Sequence, residues 1–181
     1  MPIPTRRLKI LSRMNPMLKP KITKITINTC VGKSGEPLEK ALKILEIITG
    51  VKPCVCRAKR TIRDFNIHKG EPIAAKVTLR GSKAMGFLKR VLEAVNHKIP
   101  ASSFSEHGNF SIGIKSHLDL PTTTYDPALG IIGMDVCVNV ERPGYRVARR
   151  RWKRSKVGKN HRLTKEESIA FVKEVLSVEV V

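Results

Sequence analysis

The chain has 181 residues, enough for one domain with a sizeable core, and its 35 Lys or Arg against 15 Asp or Glu give a formal charge of +20 and a sequence pI near 10.3. A domain this basic carries a field that draws polyanions, and nucleic acid is the commonest such partner. No apolar run approaches the roughly 18 residues of a spanning helix, no polybasic amphipathic helix offers a Trp/Phe/Leu face to lipid, and MPIPTRRLKILSR lacks a signal-peptide apolar core. The expected setting is therefore cytoplasmic without a membrane partner, and Cys30, Cys54, Cys56 and Cys137 are expected to be reduced thiols.

Along the chain, residues 1–15 form a basic-apolar segment in which RRLKILSRM has room for two helical turns before Asn15-Pro16. KITKITIN then alternates with period two. Thr23, Ile25 and Ile27 share one face, and Lys24, Thr26 and Asn28 share the other, as in a half-buried strand. Ser34 is placed to cap a helix with Pro37 in its first turn. Leu38, Ala41, Leu42, Leu45 and Ile48 form its apolar stripe, and Gly50 stops it. PCVCRAK reads as a short strand, followed by a charged loop with turn chemistry at Lys69-Gly70.

AAKVTLR alternates again, with Ala75, Val77 and Leu79 inward and Lys76, Thr78 and Arg80 outward. Ser82 is the predicted cap of a second helix, striped by Ala84, Phe87, Leu88, Val91, Leu92 and Val95. NFSIGI places Phe110, Ile112 and Ile114 together, and MDVCVNV does the same with Val136, Val138 and Val140. Thr164-Lys165-Glu166-Glu167 is a capping box, opening a helix with Ile169, Val172, Val175 and Leu176 inward. One-sided strands interrupted by helices predict a single α+β domain over residues 1–181, with helices on one face of a sheet and the other face open.

That open face gathers Lys24, Thr26 and Asn28 with Lys76, Thr78 and Arg80. Cations, hydroxyls and an amide on a pleated surface can meet phosphates, sugar hydroxyls and base edges together. A merely solvated face would use the same residue types, and the overall charge tips the reading to RNA or DNA. The aromatic residues lack the pattern of sheets that stack bases, so backbone and groove shape should dominate.

Enzymatic signals are weak. VGKSGEP lies between a strand and a helix, but the Gly that a phosphate loop needs five residues before Gly32 is Ile27. Cys54 and Cys56 form a C-x-C with no C-x-x-C or His pair to complete a site, Cys30 and Cys137 read as small, partly buried residues, and the five histidines are scattered. Neither a catalytic constellation, a metal site nor a cofactor is expected. The stretch 142–163 contains RVARRRWKRSKVGKNHR, in which nine of seventeen residues are Lys or Arg; removing those nine charges from +20 still leaves +11 on the rest. Such blocks are often disordered, but this one is tied at both ends, between a strand and a capped helix. It reads as an internal arm, mobile alone and ordered on RNA, with Trp152 as a flat anchor.

Several long stretches carry a resemblance: NPMLKPKITKITINTCVG, ITGVKPCVCRAKRTIRDFNIHKGEPIAAKVTLRG, FSEHGNFSIGIKSH and YDPALGIIGMDV. From about Met14 onward the chain resembles the family of large-subunit ribosomal protein five, which binds 5S ribosomal RNA in the central protuberance. VERPGYRVARRRWKRSKVGKNHRLTKEE looks like the family's archaeal form. The resemblance implies an antiparallel sheet whose open face holds 5S rRNA through Asn28 and Thr78, with a family Gln replaced here by Val51. It implies that the loop 57–71 reaches the elbow of P-site tRNA, where Arg57, Lys59, Arg60, Arg63 and Lys69 are the expected contacts.

The arm would lie on large-subunit rRNA through Arg146, Arg149, Arg150, Arg151, Trp152, Lys153, Arg154, Lys156, Lys159 and Arg162. Neighbouring large-subunit proteins and a head protein of the small subunit, at an intersubunit bridge, complete the implied partners. The alternative is a generic basic protein that compacts nucleic acid without regard to its structure.

Overall fold

In the computed structural model, which describes residues 15–121 and 123–181, the alternating segments pair as one antiparallel sheet of five strands. In chain order the elements are β1 (Lys21–Cys30), α1 (Glu36–Thr49), β2 (Cys54–Arg57), β3 (Pro72–Leu79), α2 (Gly81–Ala94), β4 (Lys98–Ile99), β5 (Phe110–Ile114), β6 (Met134–Glu141), α3 (Arg146–Arg149), α4 (Lys165–Leu176) and β7 (Glu179–Val180). The sheet runs β2-β3-β1-β6-β5, so the first strand lies at its centre. The residues 1–14 expected to be helical and basic lie outside the described residues.

Period-two patterning does what the sequence predicts. Ile25, Ile27, Val77, Leu79, Ile112, Val136, Val138 and Val140 are buried against Leu45 of α1 and Phe87, Leu88 and Leu92 of α2. Each such Ile, Leu or Phe contributes about 1.5–3 kcal/mol by leaving water, so this layer dominates stability. Leu163, Val172 and Leu176 extend the same core under α4. β4 and β7 form a separate two-residue parallel pair that no sequence pattern predicts.

The stops and caps correct the expectations in part. Gly50 ends α1 in the left-handed region, φ 62°, donating its N–H to the Glu46 carbonyl at 2.8 Å, and the Thr164–Glu167 capping box opens α4 as predicted. Ser34 caps nothing: α1 is entered through Gly35, and the Ser34 hydroxyl donates to Glu71 Oε1 at 2.9 Å. Ser82 lies inside α2, preceded by Arg80 in extended conformation with no side-chain cap. Ile44, absent from the predicted stripe of α1, is buried, while Leu42 is only partly so. Val175 is 50% exposed, because Ser168, not Val175, completes the buried line of α4 with Val172 and Leu176. The Ser168 hydroxyl turns that polar position into a bond, donating to the Gly108 carbonyl.

Candidate nucleic-acid interface

The predicted polar face forms, and the pairing aligns its members in rows. Thr26 stands opposite Thr78 on one side and Cys137 on the other, and Asn28 stands opposite Lys76 and Asp135. Lys24 faces Asn139, while Cys54 extends the Lys76 row onto the edge strand β2. Directly opposed side chains on one face lie about 4.5–5.5 Å apart at Cβ, so each row is a continuous strip of polar groups. Lys76, Thr78 and Arg80 are exposed and Lys24, Thr26 and Asn28 half-buried.

Reasoning from cations alone left out the rest of the face. Ser111, Asp135, Cys137 and Asn139 belong to it through β5 and β6, and the alternation of MDVCVNV already placed the last three opposite the valines. Cys30 and Cys137, expected to be partly buried, are exposed. Partial desolvation of the thiol against the sheet, and then the nearby Asp135 carboxylate, push the Cys137 pKa up, so it remains a neutral thiol at neutral pH. Val51, where the resembling family has Gln, packs partly buried against the core and presents no polar side-chain group.

The loop 57–71 is an ordered finger. Its neck is closed by Ala58 N–H to the Glu71 carbonyl and Gly70 N–H to the Ala58 carbonyl, at 2.8 and 2.9 Å. An antiparallel bridge between Ile62 and Ile67 brackets a tight turn at Arg63–Phe65, with Asn66 at φ 53°. Glu71 accepts from the His68 N–H at 3.0 Å and from Ser34, and these two bonds, the first the larger, hold its carboxyl below the ordinary value of 4.5. Arg57, Lys59, Arg60, Arg63 and Lys69 are all exposed around this frame. Phe65 stands at the tip, 70% exposed, and was not singled out from the sequence. An aromatic ring set in a charged loop was the available signal, since exposed aromatics are stacking surfaces for bases.

The basic arm is rooted more firmly than a charge run suggests. Arg142, 5% exposed, donates from Nε to the Leu18 carbonyl at 3.1 Å and from Nη2 to Glu167 at 2.9 Å. Its Nη1 lies 3.4–3.5 Å from the carbonyls of Asn160, His161 and Arg162. One guanidinium thus joins the beginning and the end of the arm to α4. Arg149 pairs with the buried carboxylate of Glu141, and the Leu163 N–H donates to the Tyr145 hydroxyl at 3.2 Å. Further out, Arg150 Nε donates to the Lys153 carbonyl at 2.8 Å, and Ser155 N–H to that of Val147 at 3.2 Å.

All nine arm cations from Arg146 to Arg162 are exposed, and Trp152, at 80% exposure, touches solvent instead of anchoring on its own chain. The sheet face, finger and arm therefore present cations, hydroxyls and an amide at the surface, the inventory of a polyanion interface. Among the described residues no cluster of His, Cys, Asp and Glu could hold a metal ion. His117 is buried, its Nδ1 accepting from the Ile132 N–H at 3.3 Å, a packing role.

Residues 15–68 match the family model described as ribosomal protein L5, and residues 72–171 match the model of the same ribosomal family's C-terminus. Relatives named large ribosomal subunit protein uL5 include that of Sulfurisphaera tokodaii, 53% identical over 93% of this chain and 96% of its own length. The protein of that name from Aeropyrum pernix is 48% identical over 98% and 95%, and that from Pyrobaculum aerophilum 49% identical over 98% and 99%.

Proposed function

Since the chain belongs to the L5 family of large-subunit ribosomal proteins, in its archaeal form, we propose that its open sheet face holds 5S rRNA and helps to attach it to the large rRNA of the central protuberance. The family is one of ribosomal structural proteins, not enzymes, working in the large subunit of the cytoplasmic ribosome. The observation that carries the reading is the pair of rows on the sheet, in which Asn28 stands beside Lys76 and Thr26 beside Thr78. Lys24, Lys76 and Arg80 supply counterion release and thus a steep salt dependence, while the hydroxyls and the Asn28 amide fix register on the RNA.

The finger reaches P-site tRNA through Arg57, Lys59, Arg60, Arg63 and Lys69, with Phe65 available to stack. The arm lies along large-subunit rRNA, from Arg146 to Arg162 with Trp152. An intersubunit contact with a head protein of the small subunit, and contacts with neighbouring large-subunit proteins, complete the reading. What supports this division is that the finger and arm cations are all exposed, and that hydrogen bonds tie the base of each to the fold.

The test is competition binding of the full chain to 5S rRNA and to a random duplex of equal length at about 150 mM salt. The 5S rRNA should win. Asn28→Ala with Thr78→Ala should weaken 5S binding while circular dichroism stays unchanged, and Arg60→Glu with Arg63→Glu should spare it while impairing tRNA positioning. Equal affinity for both RNAs would instead identify a generic compacting protein.

A further inference from the structure

Asp135 is the anomaly of the open face. It lies on β6 between Asn28 of β1 and Gly113 of β5 and is exposed, whereas the other acid on that side of β6, Glu141, is buried and paired with Arg149. Among the described residues no cation pairs with it and no side chain or backbone group donates to its carboxylate. A carboxylate there repels phosphate, so the phosphates of an RNA give it no role. A nucleobase can.

Gly113 leaves the space beside it empty: a Cβ at that position would sit 3.7 Å from the Asp135 carboxylate oxygen. Beside it is an open hollow of about 490 Å³ whose lining includes Asn28, Cys30, Gly113, Lys115, Met134 and Asp135. An ionised carboxylate only accepts, and it accepts best from two parallel N–H groups. The Watson–Crick edge of guanine presents such a pair, N1–H and N2–H, next to the O6 acceptor. The other bases offer a single donor position on that edge. The amide NH₂ of Asn28 or the Lys115 ammonium can supply a donor for O6.

We infer that this hollow seats one unpaired guanine of the bound RNA, with Asp135 as the residue that distinguishes guanine from the other bases. The inference rests on the sheet face being the RNA face, and its sign separates it from plain electrostatics. Removing a negative charge from a polyanion-binding surface should tighten every RNA. Removing the guanine acceptor should weaken the specific RNA by about tenfold, as a lost bidentate base contact does.

The experiment measures binding of the full chain, as wild type, Asp135→Asn, Gly113→Val and Lys76→Glu, to 5S rRNA and to a random duplex. A parallel series replaces each unpaired guanosine of the 5S rRNA singly by inosine, which lacks the N2 amino group. Asp135→Asn should bind 5S rRNA about tenfold more weakly and the duplex no more weakly. One inosine position should weaken the wild type and leave Asp135→Asn unaffected. Gly113→Val keeps every charge, suits a strand and sets its methyl groups beside the Asp135 carboxylate, so it should lose the same inosine sensitivity while circular dichroism reports an intact fold.

Unchanged or tighter 5S binding by Asp135→Asn overturns the inference. So does a loss with no inosine-sensitive position, the pattern of a cation bridging carboxylate to phosphate. If Lys76→Glu leaves 5S binding unchanged, the RNA face itself is wrong. If Lys76→Glu weakens binding while Asp135→Asn tightens it, only the guanine site falls.

Discussion

Replacing Arg142 by Met keeps the apolar stem and removes the fork that holds the arm. Two of its bonds are of full strength, to the Leu18 carbonyl at 3.1 Å and to Glu167 at 2.9 Å, while the three to arm carbonyls are long. Breaking a buried pair from one side costs about 3–5 kcal/mol, because the partner charge is left uncompensated. Here the Glu167 side chain is 34% exposed and still accepts from the Thr164 N–H, so water and the capping box relieve part of that cost. The low end, about 3 kcal/mol, follows. For a chain of this size that lowers Tm by about 6–12 °C. Thermal melting by circular dichroism measures it, and limited proteolysis should show faster cutting within 149–156 as the root of the arm loosens. Arg142→Lys retains charge without the planar fork and should fall between the two. A Tm within about 2 °C of wild type, with unchanged arm cleavage, would refute the account of Arg142 as the tie between the arm and α4.

Further outcomes follow from single contacts. Gly108 sits at φ +78°, and a Cβ there would meet Ser168 Cβ at 2.8 Å and Leu163 Cδ2 at 2.9 Å, so Gly108→Ala should cost about 2–4 kcal/mol by left-handed strain plus overpacking, read as a drop in Tm. Thr29 is buried with no partner for its hydroxyl, and Thr29→Val should stabilise by about 1 kcal/mol in urea unfolding; destabilisation would mean that the hydroxyl is satisfied in solution. The Glu71 carboxyl is held below 4.5, so the finger's tie through it is complete above that pH and is lost as pH falls through the depressed folded value. The His68 amide resonance should titrate with a midpoint below 4.5, and a midpoint at or above it would remove Glu71 from the finger's frame.

The sheet was legible because alternation is a local signal: Ile25 and Ile27, Val77 and Leu79, and the valines of β6 all face inward as their spacing predicts. The order β2-β3-β1-β6-β5 was not, since nothing in KITKITIN names a partner more than a hundred residues away. Ser34 misled for a physical reason. Serine before an apolar stripe is a cap only if its hydroxyl is not claimed elsewhere, and Glu71 claims that of Ser34. Arg142 was hidden by its company, one cation beside a run of cations, although it alone of that region is buried by its acceptors. Asp135 was passed over because a search for phosphate partners looks for positive charge.

The central position of β1 also sets a schedule. Asn28 pairs with Lys76 across 48 positions but with Asp135 across 107. Closing the longer span costs about 4 kcal/mol in chain entropy, before any constant term, and it can happen only after β6 has been made. A growing chain can thus assemble β2, β3 and β1 with α1 early, leaving one edge of β1 without a partner. The rows of the open face are complete only when some three quarters of the chain has been synthesised. Recognition of a structured RNA therefore arrives late and all at once, whereas nonspecific attraction is present from the first basic segment.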